Sequence, residues 1–284
     1  MQLTQIDYTA KTASVEFTRS LKETGFAVIK NHSVNQQLIA DVFSEWAEFF
    51  ASDYKNNYIN NNAMDGLFPM SVSEKAVGYD VKDIKEYFHS YPWGQYPKEL
   101  SNKTKELREQ MHKVAQRLLV WVEDNLPEEI KSTLSEPLTK MPENAPHTVL
   151  RILHYPPLTG NEEKDAVRAN AHTDINLLTV LVAASQSGLQ LQDVHGNWVT
   201  VPVDPGMLVI NTGDMLQEVT NGVYKSTVHR VVNPTDELKH KSRYSIPLFL
   251  HARPEVVLSK RYTADEFWNE RMAVIGIKNN KVKL

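Results

Sequence analysis

The chain has 284 residues and a formal net charge of −4, with 41% hydrophobic and 23% charged residues, the balance of an ordinary globular protein. It contains no cysteine, which excludes disulfides, thiolate metal sites and cysteine nucleophiles, so a transition-metal site must be built from His, Asp or Glu. No basic excess points to nucleic acid, the N-terminus has no signal-peptide pattern, and no apolar run approaches the roughly 18 residues of a membrane span, so a soluble cytoplasmic protein is expected. Nothing in the sequence sets an oligomeric state.

Residues 13–23 carry Val15, Phe17 and Leu21 on an apolar side and precede Gly25, which predicts an amphipathic helix with a glycine stop. A short strand is predicted over Phe26–Lys30, punctuated by Asn31-His32-Ser33. A second helix is predicted over Gln36–Ala51, with Leu38, Ile39, Val42, Phe43, Trp46 and Phe50 at helical spacing. Residues 56–91 are polar and irregular, and Asn60-Asn61-Asn62 and Gly66 favour a loop; Phe68 and Tyr79 there are candidates for substrate contact. From Asn102 to Asn125, Leu107, Met111, Val114, Leu118, Trp121 and Val122 share one helical face, and Pro127 ends the helix. A shorter helix is predicted over 128–134, and Pro137, Pro142 and Pro146 mark a connector.

The second half reads as strands. One covers 148–155, and the continuous apolar run LLTVLVAA within 168–184 predicts a strand buried on both faces. Alternation at Leu189–Gln192, a hairpin turn at His195-Gly196-Asn197, a returning strand over 198–203, a turn at Asp204-Pro205-Gly206 and a strand over 207–211 follow. Asn221-Gly222 reads as a hairpin signal before the strand holding His229. Thr263 with Glu266 forms a capping box that opens a helix through about Met272, and the tail NNKVKL reads as frayed. The fold class predicted is α+β: a double-stranded β-helix (jelly-roll) core flanked by N-terminal helices and a C-terminal helix. Residues 1–145 form the mainly helical part and 146–284 the core with its C-terminal helix, packed as one compact unit.

The chemistry concentrates between Ala171 and Ser245. In His172-Thr173-Asp174, strand geometry places an imidazole and a carboxylate on one face, and a later strand must return His229 to them. Two imidazoles and one carboxylate with open positions form the facial set favoured by non-haem Fe(II) oxygenases. Arg243 and Ser245 again share a strand face, and a guanidinium fork beside a hydroxyl suits a carboxylate ligand. A single HxD is weak evidence; the ordered set HxD, H, RxS is far more specific.

With these residues the chain resembles the isopenicillin N synthase-like family of Fe(II)/2-oxoglutarate-dependent dioxygenases. The matching text is AHTDINLLTVL, GLQLQ, GNWVTVPVDPGMLVINTGDMLQEVTNG, YKSTVHRVVNP and SRYSIPLFLHARPE, with ETGFAVIKNHSV and DIKEYF in the first half. The resemblance implies Fe(II) held by His172, Asp174 and His229, with 2-oxoglutarate and O2 at the open positions and ascorbate as reductant. It further implies that Arg243 and Ser245 bind the distal carboxylate of 2-oxoglutarate, that Tyr155 in HYPP assists, and that a small molecule is oxidised, most simply by hydroxylation. Leu153 departs from the Asn that many relatives carry, and the 14-residue step from His229 to Arg243 includes DELKHKS, read as a solvated hairpin extension. His32, His195, His240 and His251 are read as non-ligands. Three alternatives stay open: a keto-acid-independent iron oxidase of the isopenicillin N synthase type, a non-catalytic metal-binding jelly roll, and a zinc hydrolase, since zinc accepts two His and a carboxylate.

Overall fold

The computed structural model of the chain describes residues 3–60, 64–72, 76, 78–202, 204–235 and 237–275. Asn61 and Asn62 of the expected loop, positions 73–75 and 77, Val203, Asp236 and the NNKVKL tail lie outside the described residues.

In chain order the elements are β1 (Gln5–Asp7), α1 (Ala13–Thr24), β2 (Phe26–Lys30), α2 (Gln36–Ala51), β3 (Gly66–Phe68), β4 (Glu86–Ser90), α3 (Lys103–Asp124), α4 (Glu128–Lys131), β5 (Val149–Tyr155), β6 (Ala169–His172), β7 (Leu178–Val182), β8 (Leu189–Gln192), β9 (Trp198–Thr200), β10 (Leu208–Thr212), α5 (Asp214–Val219), β11 (His229–Val231), β12 (Arg243–Leu250) and α6 (Ala264–Ile275). Strands β5 to β12 build a jelly roll: β10-β7-β12-β5 face β6-β11-β8-β9. The first half extends the larger sheet at both edges, giving the order β1-β2-β10-β7-β12-β5-β4-β3.

The larger sheet divides two apolar regions. Along its strands Ala27, Ile29, Val180, Ile210, Ile246 and Leu248 point to the helices, while Phe26, Val28, Val209, Leu153 and Tyr155 point to the smaller sheet. Burial on both faces explains why β7 is apolar but for Thr179.

The helices form where period and cap agree. Gly25 ends α1 at φ 71°, and its N–H bonds Leu21 O. A Cβ there would lie 2.2 Å from Thr227 Oγ1, so glycine also permits a close approach to the segment before β11. Asn35 caps α2, its side chain accepting from Leu38 N. Thr263 and Glu266 make the reciprocal capping bonds that open α6.

Trp46 lies fully buried on α2, its rings against Phe49, Phe50 and Phe88, and donates to Thr104 Oγ1 at 2.8 Å. Trp46→Ala is expected to cost about 3–5 kcal/mol, read as a lowered urea midpoint at pH 7.5. A loss below about 1 kcal/mol would mean that this cluster tolerates a cavity that large.

Several expectations are corrected. Val15 is 59% exposed, and of the three expected apolar residues only Phe17 and Leu21 are buried, with Ala13 beside them. Residues 56–91 are not one loop: β3 and β4 add to the sheet, and β4 is buried throughout. Strand β1, in a segment for which no element was named, pairs in parallel with β2. Asn221-Gly222 closes α5 rather than a hairpin, with Gly222 N bonding Gln217 O. The stretch before β12 is no hairpin extension, because it joins β11 of one sheet to β12 of the other. The fourth helix stops at Lys131, three residues short of the expected end, and β9 at Thr200.

Candidate active site

His172 is the last residue of β6, and His229, the first of β11, is its direct partner across the ladder. Their ring centroids are 4.4 Å apart. Asp174 lies beyond the strand end, in the irregular segment that carries the chain to β7 on the other sheet. The expected same-strand geometry therefore gives way to a turn of the backbone, yet the three side chains still converge. One ligand atom from each lies within 4.8 Å of the others.

Backbone contacts set the orientation of both rings. His172 Nδ1 donates to Asn170 O at 2.7 Å and His229 Nδ1 donates to Thr227 O at 3.0 Å. A carbonyl only accepts, so both protons sit on Nδ1 and both Nε2 lone pairs are left for a metal. Those Nε2 atoms lie 3.9 and 3.8 Å from Asp174 Oδ1. Asp174 Oδ2 is occupied by Thr179 Oγ1 at 2.6 Å and Asn211 Nδ2 at 2.7 Å, which leaves Oδ1 toward the imidazoles. Phe26 packs edge-on against His229 with centroids 5.5 Å apart.

The electrostatics suit a cation. Removal from bulk water, then the neighbouring His229, pushes His172 down to about 4. For Asp174 burial works to raise the pKa; His229, His172 and the Thr179 and Asn211 hydrogen bonds outweigh it and hold the carboxyl below its usual range. Near neutral pH the trio thus offers a neutral imidazole from His172 and a carboxylate, the donor set that divalent first-row metals accept.

Thr179 and Asn211 were not singled out in the sequence. Their signal was a polar residue inside an otherwise apolar strand; they are register partners on β7 and β10 and buried. Gly213 matters in the same way: a Cβ there would lie 2.0 Å from Asn176 O, so only glycine lets the start of α5 press on the ligand-bearing turn. Asp214 N then bonds Asp174 O, and Asp214 Oδ2 accepts from Thr173 Oγ1 and faces Arg271 Nε of α6 at 3.7 Å.

Arg243, Ser245 and Tyr155 lie on the inner face of the larger sheet, with Arg243 opposite Tyr155 and Ser245 opposite Leu153. Arg243 is 2% exposed, its guanidinium 5.0 Å from the centre of the Tyr155 ring. Its Nε donates to Gln186 O at 3.1 Å, and its buried Nη1 has no protein partner. It lines a cleft between the sheets with Leu181, Gln186, Ser187, Leu189 and Val209. A buried guanidinium with an unused donor in an apolar cleft fits an incoming carboxylate.

The remaining candidates separate. Phe68 stacks on Tyr87 (4.8 Å, 14°) beside the inter-sheet core, whereas Tyr79 is 42% exposed. His32 donates from Nε2 to Gly206 O and accepts from Val34 N, and His195 and His240 lie at the surface. His251 is buried, donates from Nδ1 to Phe249 O and meets Trp268 edge-on, while His147 stacks flat on that ring.

Burial, then His147, pushes His251 down to about 3, and burial lowers His147 too. In the unfolded chain these imidazoles protonate near their ordinary value of about 6.5, so the unfolded state binds more protons below that pH. Stability is therefore expected to be complete above about 6.5 and to fall as the pH drops toward the folded-state values. In metal-free protein His251→Gln should flatten that decline between pH 7.5 and 5, measured by urea midpoints. An unchanged slope would show that His251 is not one of its sources.

Comparison with known proteins identifies the family. The family model described as the 2OG-Fe(II) oxygenase superfamily matches residues 146–252, and that described as non-haem dioxygenase in morphine synthesis N-terminal matches 3–118. The 2-oxoglutarate-dependent dioxygenase citB of Monascus ruber is 31% identical over 278 residues, covering 87% of this chain and 80% of that protein. The crystal structure of a protein from Shewanella oneidensis, described as an oxygenase, is 48% identical with a TM-score of 0.89, covering 98% of this chain and 100% of that one. A full-length protein of Neurospora crassa, solved in complex with alpha-KG, shares the fold at 21% identity and a TM-score of 0.76, covering 95% of each chain. The chain belongs to the 2OG-Fe(II) oxygenase superfamily and is an enzyme that requires Fe(II), 2-oxoglutarate and O2.

Proposed function

We propose that His172, Asp174 and His229 hold the Fe(II), that Arg243 and Ser245 receive the distal carboxylate of 2-oxoglutarate with Tyr155 beside them, and that the enzyme hydroxylates a small molecule. The observation that carries this is the pair of facing imidazoles, each fixed by a backbone carbonyl so that Nε2 faces Asp174 Oδ1. The unused Nη1 of Arg243 supports the carboxylate assignment. With metal and cosubstrates bound, the chemistry supplied is decarboxylation of 2-oxoglutarate to succinate and CO2, coupled to oxidation of a substrate C–H bond.

The protein's own share is positioning. Thr179 and Asn211 hold Asp174 in one rotamer, Phe26 limits the tilt of His229, and the apolar walls Leu153, Leu181, Leu189 and Val209 keep bulk water from the cosubstrate cleft. We place the enzyme in the isopenicillin N synthase-like branch and in the cytoplasm, where a reducing medium keeps iron as Fe(II). No described helix is long and apolar enough to cross a membrane. We also infer that 1–145 and 146–284 fold as one unit, because β2 and β4 hydrogen-bond into the jelly-roll sheet; two separate unfolding transitions would contradict it.

The test needs no knowledge of the substrate. Purified protein with Fe(II), ascorbate and 2-oxoglutarate is expected to release succinate slowly, and His229→Ala to release far less. If the wild type is no faster than that variant, and no small-molecule panel stimulates it, the assignment of His229 to the iron site fails.

A further inference from the structure

A second arginine lies behind the cosubstrate cleft. Arg168, immediately before β6, is 0% exposed. Its Nη1 donates to Gln186 Oε1 at 3.0 Å and its Nη2 to Lys241 O at 3.3 Å, while its buried Nε has no partner. Gln186, in the connector from β7 to β8, is shared: its carbonyl accepts from Arg243 Nε at 3.1 Å and its side chain donates to Ser242 O at 2.9 Å. Arg168 thus holds the residue that orients Arg243.

The charge balance is unusual. Among the described residues no carboxylate is within the groups acting on either arginine, and Arg168 feels Arg243 as a like charge. Burial and that repulsion pull the Arg168 guanidinium down to about 10. Two cations buried without an anion cost folding free energy. One cation would suffice to hold a carboxylate; the second raises the positive potential of the cleft and penalises a ligand with a neutral tail.

We propose that Arg168 is a positioning residue for 2-oxoglutarate, acting through Gln186 and the charge it shares with Arg243 to set cosubstrate affinity and the preference for a dicarboxylate. The proposal rests on the reading of Arg243 as the distal-carboxylate anchor. The competing explanation is that Arg168 merely staples three connectors together.

The test compares 2-oxoglutarate with 2-oxopentanoate, which has the same carbon chain without the distal carboxylate. Binding is measured by calorimetry on anaerobic Fe(II)-loaded protein, and KM and kcat by succinate release. Arg168→Met is expected to weaken 2-oxoglutarate about 10- to 100-fold, the range for outer partners of metal sites, and to spare 2-oxopentanoate and kcat. Arg168→Lys should recover most of the loss, since it restores the charge. Equal weakening of both acids, or 2-oxoglutarate affinity within about twofold of wild type, would overturn the proposal. If Arg168→Met does not fold, Gln186→Leu keeps the carbonyl and cuts the same link. A selective loss there supports the proposal; a non-selective loss or none overturns it. Arg243→Met separates the two failures. If that variant also keeps its 2-oxoglutarate affinity, the anchor reading itself is wrong. If only Arg243→Met loses affinity, Arg168 alone is misassigned.

Discussion

Asp174→Ala is expected to abolish stoichiometric iron binding, and turnover with it. Asp174 supplies the one anionic donor of the set, and the two imidazoles left behind make a site with neither the charge nor the third position of a facial triad. The substitution also strands two buried donors, because Thr179 Oγ1 and Asn211 Nδ2 both use Asp174 Oδ2. A stranded buried donor costs about 1–3 kcal/mol, so the alanine variant should be less stable as well as metal-free. Asp174→Asn separates the two effects. Its amide oxygen can still accept from Thr179 and Asn211, while its NH2 points at the imidazole lone pairs and opposes a cation. The expectation is near-native stability with iron binding lost, measured by anaerobic Fe(II) titration beside thermal melting. Full iron occupancy in either variant would reject the assignment.

Arg243→Met should act on the cosubstrate and leave the metal in place. A distal carboxylate in this cleft would face apolar walls without its cation, and truncating one partner of a buried charge pair costs about 2–5 kcal/mol. At about 1.4 kcal/mol per tenfold, 2-oxoglutarate affinity should fall by roughly 30- to several thousand-fold. Methionine keeps much of the bulk over Tyr155, so the fold should persist. Iron titration is the internal control: unchanged iron with unchanged 2-oxoglutarate affinity would place the cosubstrate elsewhere.

The elements that could be read from sequence are those in which local period, cap and tertiary role coincide. Helix α2 has its Asn35 cap and apolar face, β2 its continuous apolar run, and both end where expected. Strand β4 was not legible because its polar residues are satisfied by partners distant in sequence. Glu86 is buried yet bonded to Lys55 and His154, and His89 to Met64 O and Arg151. Read alone, such residues describe a solvated loop. Helix α5 was missed because Asn221-Gly222, which closes it, is as common in hairpins. The candidate metal trio was legible as residue types, but not the turn that brings Asp174 round, nor Thr179 and Asn211, whose contact with Asp174 depends on strand pairing.

The two-sided sheet makes chemistry and stability separately inheritable. Thr179 touches the Asp174 carboxylate while its neighbour Val180 packs toward the helices, and Ser245 and Ile246 divide in the same way. Single substitutions one position apart on a strand therefore fall into different classes of consequence. Changes to the inner-face polar residues reach the candidate site and leave the helix-backed side intact, whereas outer-face changes erode folding without touching those residues. A lineage can change the polar inner-face positions by point mutation while the helix-backed side of the same strands stays packed.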